Sequence, residues 1–97
     1  MKIVYLIDQA LDARNYDRFG IDTWIARGWA VEVWDLTPLA FPRVWREFLD
    51  AGGTLRRFEG HRLVESSADL GPLLSQQDRI DYYVDFGGES APAVRAK

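Results

Sequence analysis

Short, continuously apolar segments alternate along the chain with longer amphipathic ones. Residues 3–7 form an unbroken apolar run, rich in branched side chains, that ends at Asp8. A run that is apolar on both faces is typical of a central parallel strand covered by helices on each side. Residues 29–36 and 78–86 predict two further strands. About twenty residues separate the first two strands, which is enough for a crossover helix and excludes a tight hairpin between them.

The amphipathic segments predict helices with recognisable ends. The first helix runs to about Arg27, and the second carries its apolar face at positions 44, 45, 48 and 49. Pro72 must lie within the first turns of the third helix, so that helix is expected to start near Asp69. The first helix is expected to start at Asn15 or Asp17 and to end at Gly28, and the second to start at Pro42 and end at Gly52. Ser66 begins a capping sequence for the third helix.

Residues 54–65 allow two interpretations. One is a hairpin that joins 54–58 to 61–65 around Glu59 and Gly60. The other is a loop followed by a short third parallel strand over residues 62–65. The regular alternation of strands and helices elsewhere favours the second interpretation.

The resulting order of elements is β-α-β-α-β-α-β, followed by the start of a helix near Ser90. Because crossover connections are right-handed, this order predicts an α/β fold. We expect a Rossmann-like three-layer αβα domain over residues 1–97, with a four-stranded, mostly parallel sheet of order 3-2-1-4. The last helix has little more than one turn. We therefore expect a truncated, N-terminal piece of a longer chain that stops before a fifth strand.

Composition removes several classes of function. The chain has no cysteine, which excludes disulfides, thiolate metal sites and cysteine nucleophiles. No apolar run approaches the roughly 18 residues of a membrane span, and no signal peptide is evident, so a cytoplasmic protein is expected. The net charge is −3, and the arginines of the middle segment are interspersed with acidic residues, so nucleic-acid binding is not expected.

The candidate ligand site follows from the predicted topology. In open parallel sheets, ligands bind outside the carboxyl ends of the strands, where the strand order reverses. The candidate ligand-binding residues are therefore Asp8, Gln9, Asp35, Gly87, Gly88, Glu89 and Ser90. The paired glycines would admit a ligand close to the backbone, and the helix start after them would offer N–H groups to an anion. A plain strand-to-helix turn capped by Ser90 is the alternative.

Other residues are assigned structural roles. Asp35 could hold a ribose hydroxyl, but the glycine-rich motif of dinucleotide folds does not follow the first strand, so NAD is not expected. No metal and no cofactor are expected, because His61 has no partners at a ligand spacing. His61 is predicted on the surface. The four tryptophans at 24, 29, 34 and 45 are predicted in the core.

Three segments together resemble a known family. Residues 2–8 (KIVYLID), 24–29 (WIARGW) and 31–39 (VEVWDLTPL) are similar to the N-terminal half of GT-B-type glycosyltransferases of bacterial surface polysaccharide synthesis. In that family two Rossmann-like halves face each other across a cleft. The C-terminal half usually binds the nucleotide-sugar, and the N-terminal half contacts the acceptor.

The resemblance implies that this chain is the acceptor-side domain, inactive alone. Its partners would be a carbohydrate acceptor and, through the missing half, a nucleotide-sugar. Many members carry a glycine-rich loop after the first strand, which this chain lacks, and no catalytic residue carries over. From position alone, Asp8 or Glu89 could act as a general base near the acceptor hydroxyl.

Two other functions stay open, because a Rossmann-like sheet does not by itself imply an enzyme. The chain could be a non-catalytic module that binds a ligand or another protein. A flavodoxin-like nucleotide-binding protein is a lesser alternative. An element face left uncovered by truncation could also produce a homodimer.

Overall fold

The computed structural model describes residues 1–85 and confirms the predicted α/β class. Within these residues, four parallel strands form one sheet of order β3-β2-β1-β4. The strands are β1 (Lys2–Ile7), β2 (Ala30–Asp35), β3 (His61–Leu63) and β4 (Tyr82–Asp85). The helices are α1 (Ala13–Arg18), α2 (Ile21–Ala26), α3 (Thr37–Ala40), α4 (Pro42–Asp50) and α5 (Ser67–Leu74), with a 3-10 turn over Gln77–Arg79.

Strand β1 lies at the centre, and its side chains supply both layers of the core. Its odd-numbered residues Ile3, Tyr5 and Ile7 pack with buried residues of α1 and α2. Its even-numbered residues pack on the other face, with Trp34 of β2 and with leucines of α5. Each buried aliphatic side chain of this kind contributes about 1.5–3 kcal/mol to stability. The continuous apolar run therefore serves two helical layers at once, as predicted.

The tryptophans divide between the core and its margins. Trp34 is fully buried, whereas Trp24 and Trp29 are only partly buried at the edge of the core. Trp45 is also only half-buried and stacks on Phe48 within α4. The prediction that all four tryptophans lie in the core is therefore confirmed for Trp34, whereas the other three are only partly buried.

The first predicted helix is in fact two helices. Gly20 has a φ of 68° and separates α1 from α2. The predicted cap is also wrong, because Asp12 caps α1 and its carboxylate accepts a hydrogen bond of 2.8 Å from the Asn15 N–H. Gly28, with a φ of 83°, ends the pair as predicted.

The segment between β2 and β3 contains one unexpected helix. Thr37 and Pro38, expected only to end the strand, begin the single turn of α3. Helix α4 begins at Pro42, as predicted. The loop-and-strand interpretation of 54–65 is confirmed, since β3 pairs in parallel with β2 through His61 and Val33. The strand spans His61–Leu63 and not the predicted 62–65. The hairpin alternative is wrong.

The last described elements depart from their predicted bounds. Helix α5 begins at Ser67 and contains Pro72 within it. Ser66 is its N-cap, as the capping sequence predicted, so the alternative of a start nearer Asp69 is wrong. The start is fixed by the Asp69 carboxylate, which accepts hydrogen bonds from the N–H groups of Glu65 and Ser66 at 3.1 and 3.2 Å. Strand β4 begins only at Tyr82, because residues 77–79 form the 3-10 turn. Phe86 lies outside the described residues.

Among residues 1–85, no helix is both long and apolar enough to cross a lipid bilayer.

Candidate functional site

A cavity of about 230 Å³ lies at the carboxyl ends of β1 and β2, beside the β1–β4 position at which the strand order of the sheet reverses. We name it the strand-tip pocket. Its lining residues come from the loop after β1, from α1 and from the α3–α4 segment, and they are Asp8, Gln9, Ala10, Asp12, Asn15, Thr37, Val44 and Phe48. This is the edge at which open parallel sheets bind their ligands.

The loop after β1 is held in place by buried and capping contacts. Leu11 is fully buried and anchors the loop in the core. The Asn15 side chain donates a hydrogen bond of 2.9 Å to the Ala10 carbonyl, while Asp12 caps α1. These contacts fix the loop that follows Asp8 and Gln9 at the strand tip.

The opposite wall begins at the tip of β2. Asp35 is fully buried, and its Oδ1 accepts hydrogen bonds from the Thr37 N–H at 3.0 Å and the Thr37 hydroxyl at 2.6 Å. An aspartate that accepts from the backbone two residues later is a common way to turn a chain out of a strand. Asp35 therefore does not line the pocket but fixes Thr37, which does.

Helix α4 supplies the apolar part of the wall through Val44 and Phe48. The Phe48 ring lies directly over the backbone of Gly53, where a β-carbon on residue 53 would overlap the ring. The ring is also stacked on Trp45, with centroids 5.9 Å apart. Gly53 thus lets the aromatic wall of the pocket sit close to the chain that follows α4.

His61 is buried beside Asp35 and does not lie on the surface, so the surface prediction is wrong. Its side chain is fully buried, with Nε2 4.0 Å from Oδ2 of Asp35. Among the described residues, neither ring nitrogen of His61 nor Oδ2 of Asp35 has a hydrogen-bond partner. His61 is the first residue of β3, whose pairing with Val33 draws it into the sheet.

The polar lining is acidic or neutral. Asp8 and Asp12 bring carboxylates, Gln9 and Asn15 bring amides, and Thr37 brings a hydroxyl. No lysine or arginine lines the pocket within the part of the chain described. Carboxylates only accept hydrogen bonds, whereas amides both donate and accept them. The arrangement suits a ligand that is rich in hydroxyl or other donor groups and carries no phosphate.

A second cavity, of about 340 Å³, lies at the amino ends of the strands. Three of its charged side chains, Lys2, Glu32 and Arg62, are paired with each other. The Glu32 carboxylate lies 2.7 Å from the Lys2 Nζ and 3.7 Å from an Arg62 guanidinium nitrogen, and it accepts a hydrogen bond of 2.8 Å from the Trp34 indole. This network occupies the donors and acceptors that a ligand would need, so we assign it a structural role.

The network shifts two pKa values. Burial alone would raise the pKa of Glu32, but its hydrogen bonds from Lys2 and Trp34 and the charges of Lys2 and Arg62 outweigh burial and lower it. Burial, with the nearby charge of Glu32, raises the pKa of Tyr83.

The structure brings together only part of the predicted site. Asp8 and Gln9 line the strand-tip pocket. Asp35 does not line it but accepts a hydrogen bond from the hydroxyl of Thr37, which does. Gly87, Gly88, Glu89 and Ser90 lie outside the described residues. The sequence analysis did not identify the remaining lining residues, which are Asp12, Asn15, Thr37, Val44 and Phe48. Of these residues, only Asp12 could have been identified from the sequence. Aspartate is a preferred N-cap residue, and its side chain accepts a hydrogen bond from the N–H three residues later, here that of Asn15.

The fold and this pocket together define a small Rossmann-like domain with an acidic, partly aromatic pocket at its strand tips. In the described part of the chain, no group of three or more histidine, aspartate or glutamate side chains is placed to hold a metal ion. Comparison of the chain with known protein families, curated proteins and solved structures finds no significant match. Function is therefore inferred from the pocket itself.

Proposed function

We propose that the chain is the N-terminal, acceptor-side domain of a glycosyltransferase-like protein of surface polysaccharide synthesis. In this proposal the strand-tip pocket binds a carbohydrate acceptor, and the domain is inactive without its donor-binding half. The observation that carries the proposal is the pocket lining, which combines two carboxylates and two amides with the apolar side chains of Phe48 and Val44.

The lining matches the two kinds of surface that a sugar offers. Sugar hydroxyls donate hydrogen bonds to carboxylates such as Asp8 and Asp12, and they also pair with the amide of Gln9. The C–H face of a sugar ring is apolar and can pack against Phe48. Ligand sites commonly combine an apolar wall with a few placed polar groups in this way.

Size and charge favour the acceptor over the donor. Small-molecule pockets usually measure about 300–1,000 Å³, so a cavity of about 230 Å³ suits a single sugar unit better than a whole nucleotide-sugar. The phosphates of a nucleotide-sugar would also be repelled by the carboxylates of Asp8 and Asp12. The donor would therefore be held by the other half of the protein.

Within this proposal, Asp8 is the carboxylate assigned to take the proton from the attacking acceptor hydroxyl. It lies at the tip of the central strand and lines the pocket. A general base must reach the hydroxyl that it deprotonates, and a strand tip on a rigid sheet is suited to hold it there. A cytoplasmic location belongs to the same proposal and is compatible with a chain that has no cysteine.

The proposal is tested by titrating the isotope-labelled chain with hexoses, N-acetylhexosamines, inorganic phosphate and a nucleoside diphosphate while amide NMR shifts are recorded. We expect a saccharide to shift the amides of residues 8–15 and 37, and the two phosphate compounds to leave them unchanged. Asp8→Asn and Asp12→Asn should each weaken saccharide binding about tenfold, which is the loss of one charge-assisted hydrogen bond.

Asp17→Asn is the matched control, because Asp17 is exposed on α1 and does not line the pocket. Its saccharide affinity should equal that of the unchanged chain. If no saccharide shifts the pocket amides, or if phosphate shifts them instead, the acceptor assignment is wrong. Saccharide binding without transfer by the full-length protein, assayed with a panel of nucleotide-sugars, would favour the non-catalytic binding module.

A further inference from the structure

Two residues that line the strand-tip pocket already use hydrogen-bond donors within the protein. The hydroxyl of Thr37 has one hydrogen, which it donates to the buried carboxylate of Asp35 at 2.6 Å. The side-chain nitrogen of Asn15 donates to the Ala10 carbonyl at 2.9 Å. For a ligand, Thr37 therefore keeps only the lone pairs of its hydroxyl oxygen, and Asn15 offers chiefly its amide oxygen.

The side-chain oxygen of Asn15 is the clearest of these acceptors. Asn15 lines the pocket and is only 8% exposed, and within residues 1–85 no group donates a hydrogen bond to this oxygen. The amide cannot be turned over, because its oxygen would then face the Ala10 carbonyl. An acceptor in a buried side chain costs free energy when no donor meets it. The pocket therefore lacks a donor that a ligand can supply.

The carboxylate of Asp12 places a negative charge beside this acceptor. Its Oδ1 accepts a hydrogen bond of 2.8 Å from the N–H of Asn15, which ties the two side chains to the same end of the pocket. The pocket lining includes no lysine or arginine from the described ranges. A sugar hydroxyl has one hydrogen to donate and no charge. A protonated amine has three, and its bond to a carboxylate is charge-assisted.

We infer that the acceptor sugar carries a free, protonated amino group, which the strand-tip pocket binds through Asp12, Asn15 and Thr37. The inference rests on the proposed function and narrows its substrate class to amino sugars. An N-acetylated sugar fits this set of groups less well, because acetylation removes the positive charge and two of the three hydrogens. It also adds a carbonyl, which is a further acceptor where the protein already presents acceptors.

The test is an NMR titration of the isotope-labelled chain with glucosamine, glucose and N-acetylglucosamine at about pH 6, where a primary amine is protonated. The three sugars differ only in the group on one ring carbon. We expect glucosamine to bind about tenfold more tightly than the other two, which is the gain from one charge-assisted hydrogen bond. The shifts should include the backbone amides of residues 12, 15 and 37 and the side-chain amide of Asn15.

Asp12→Asn tests the charge without removing the helix cap, since asparagine caps helices as well as aspartate does. It should reduce the preference for glucosamine over glucose, whereas the exposed Asp17→Asn should leave that preference unchanged. Raising the salt concentration from about 0.05 to 0.5 M should weaken the binding of glucosamine but not of glucose, because salt screens only the charged ligand.

The outcomes separate this inference from the proposed function. If glucose or N-acetylglucosamine binds as tightly as glucosamine, the amino-sugar inference is wrong and the acceptor-side proposal stands. Cyclohexylamine, a charged ring without hydroxyls, provides the other comparison. If it binds as tightly as glucosamine, the pocket recognises an amine and not a sugar, and both proposals are wrong. Both are also wrong if none of the four compounds shifts the pocket amides.

Discussion

At the scale of single residues, Glu32 is the most heavily engaged charge of the described chain. Its residue is buried, and its carboxylate is contacted by Lys2, Trp34 and Arg62 at the amino edge of the sheet. These partners lower its pKa despite the cost of burial. A buried carboxylate stabilised in this way links the stability of the protein to pH.

Because the folded pKa of Glu32 lies below its unfolded value of about 4.3, its contribution is fully present above that value and is lost as the pH falls through the folded pKa. We expect Glu32→Gln to lower the free energy of unfolding at pH 7 by about 1–3 kcal/mol, since it leaves Lys2 without its carboxylate. Urea denaturation at pH 7 and at pH 3 measures both effects. The difference between the two proteins should shrink at pH 3.

The exposed Glu65→Gln is the control, because the Glu65 side chain has no place in this network. It should leave stability unchanged to within about 0.5 kcal/mol at both pH values. An equal loss of stability for Glu32→Gln at pH 7 and pH 3 would show that packing, and not charge, accounts for the effect.

At the scale of elements, Gly20 divides the connection between β1 and β2 into the two helices α1 and α2. Gly20 adopts a left-handed φ of 68°, which residues with a β-carbon adopt only at a cost. No atom lies near the position that its β-carbon would take, so the cost comes from the backbone alone. We expect Gly20→Ala to lower the free energy of unfolding by about 1 kcal/mol.

Gly71 in α5 provides the matched comparison. It has no positive φ, and open space surrounds the position of its β-carbon. Alanine there removes conformational freedom from the unfolded chain, so Gly71→Ala should raise stability by about 0.5–1 kcal/mol. Thermal unfolding of the two variants should move in opposite directions. A Gly20→Ala protein as stable as the unchanged chain would mean that the segment can straighten into one helix.

The same glycine shows what the sequence could and could not predict. The strands and their order were predictable, because residues 3–7 are apolar on both faces and the connections are long enough for crossovers. The apolar stripe of the first helix continues past Gly20, so periodicity gave no sign of the break. The turn at Thr37 was missed for a related reason, since a strand-ending Thr-Pro pair does not show that a helical turn follows.

At the scale of the whole molecule, the position of the pocket was predictable but most of its wall was not. Ligand sites of such sheets lie at the carboxyl ends of the strands, and Asp8 and Gln9 line a pocket there, although that pocket lies between the ends of β1 and β2 and not between those of β1 and β4. The opposite wall depends on where α4 lies relative to the loop after β1. That placement is set by tertiary packing, which no local pattern encodes.

The same architecture predicts how local stability varies through the molecule. Strand β1 pairs with β2 and β4 and is buried on both faces, so its amides should exchange only when the whole domain unfolds. Helix α4 has no buried residue and should open locally. Hydrogen exchange followed by NMR in dilute protein should show the slowest amides at residues 3–7 and much faster ones at residues 46–50. If the amides of α4 exchange as slowly as those of β1 under dilute conditions, the helix is held by its own domain.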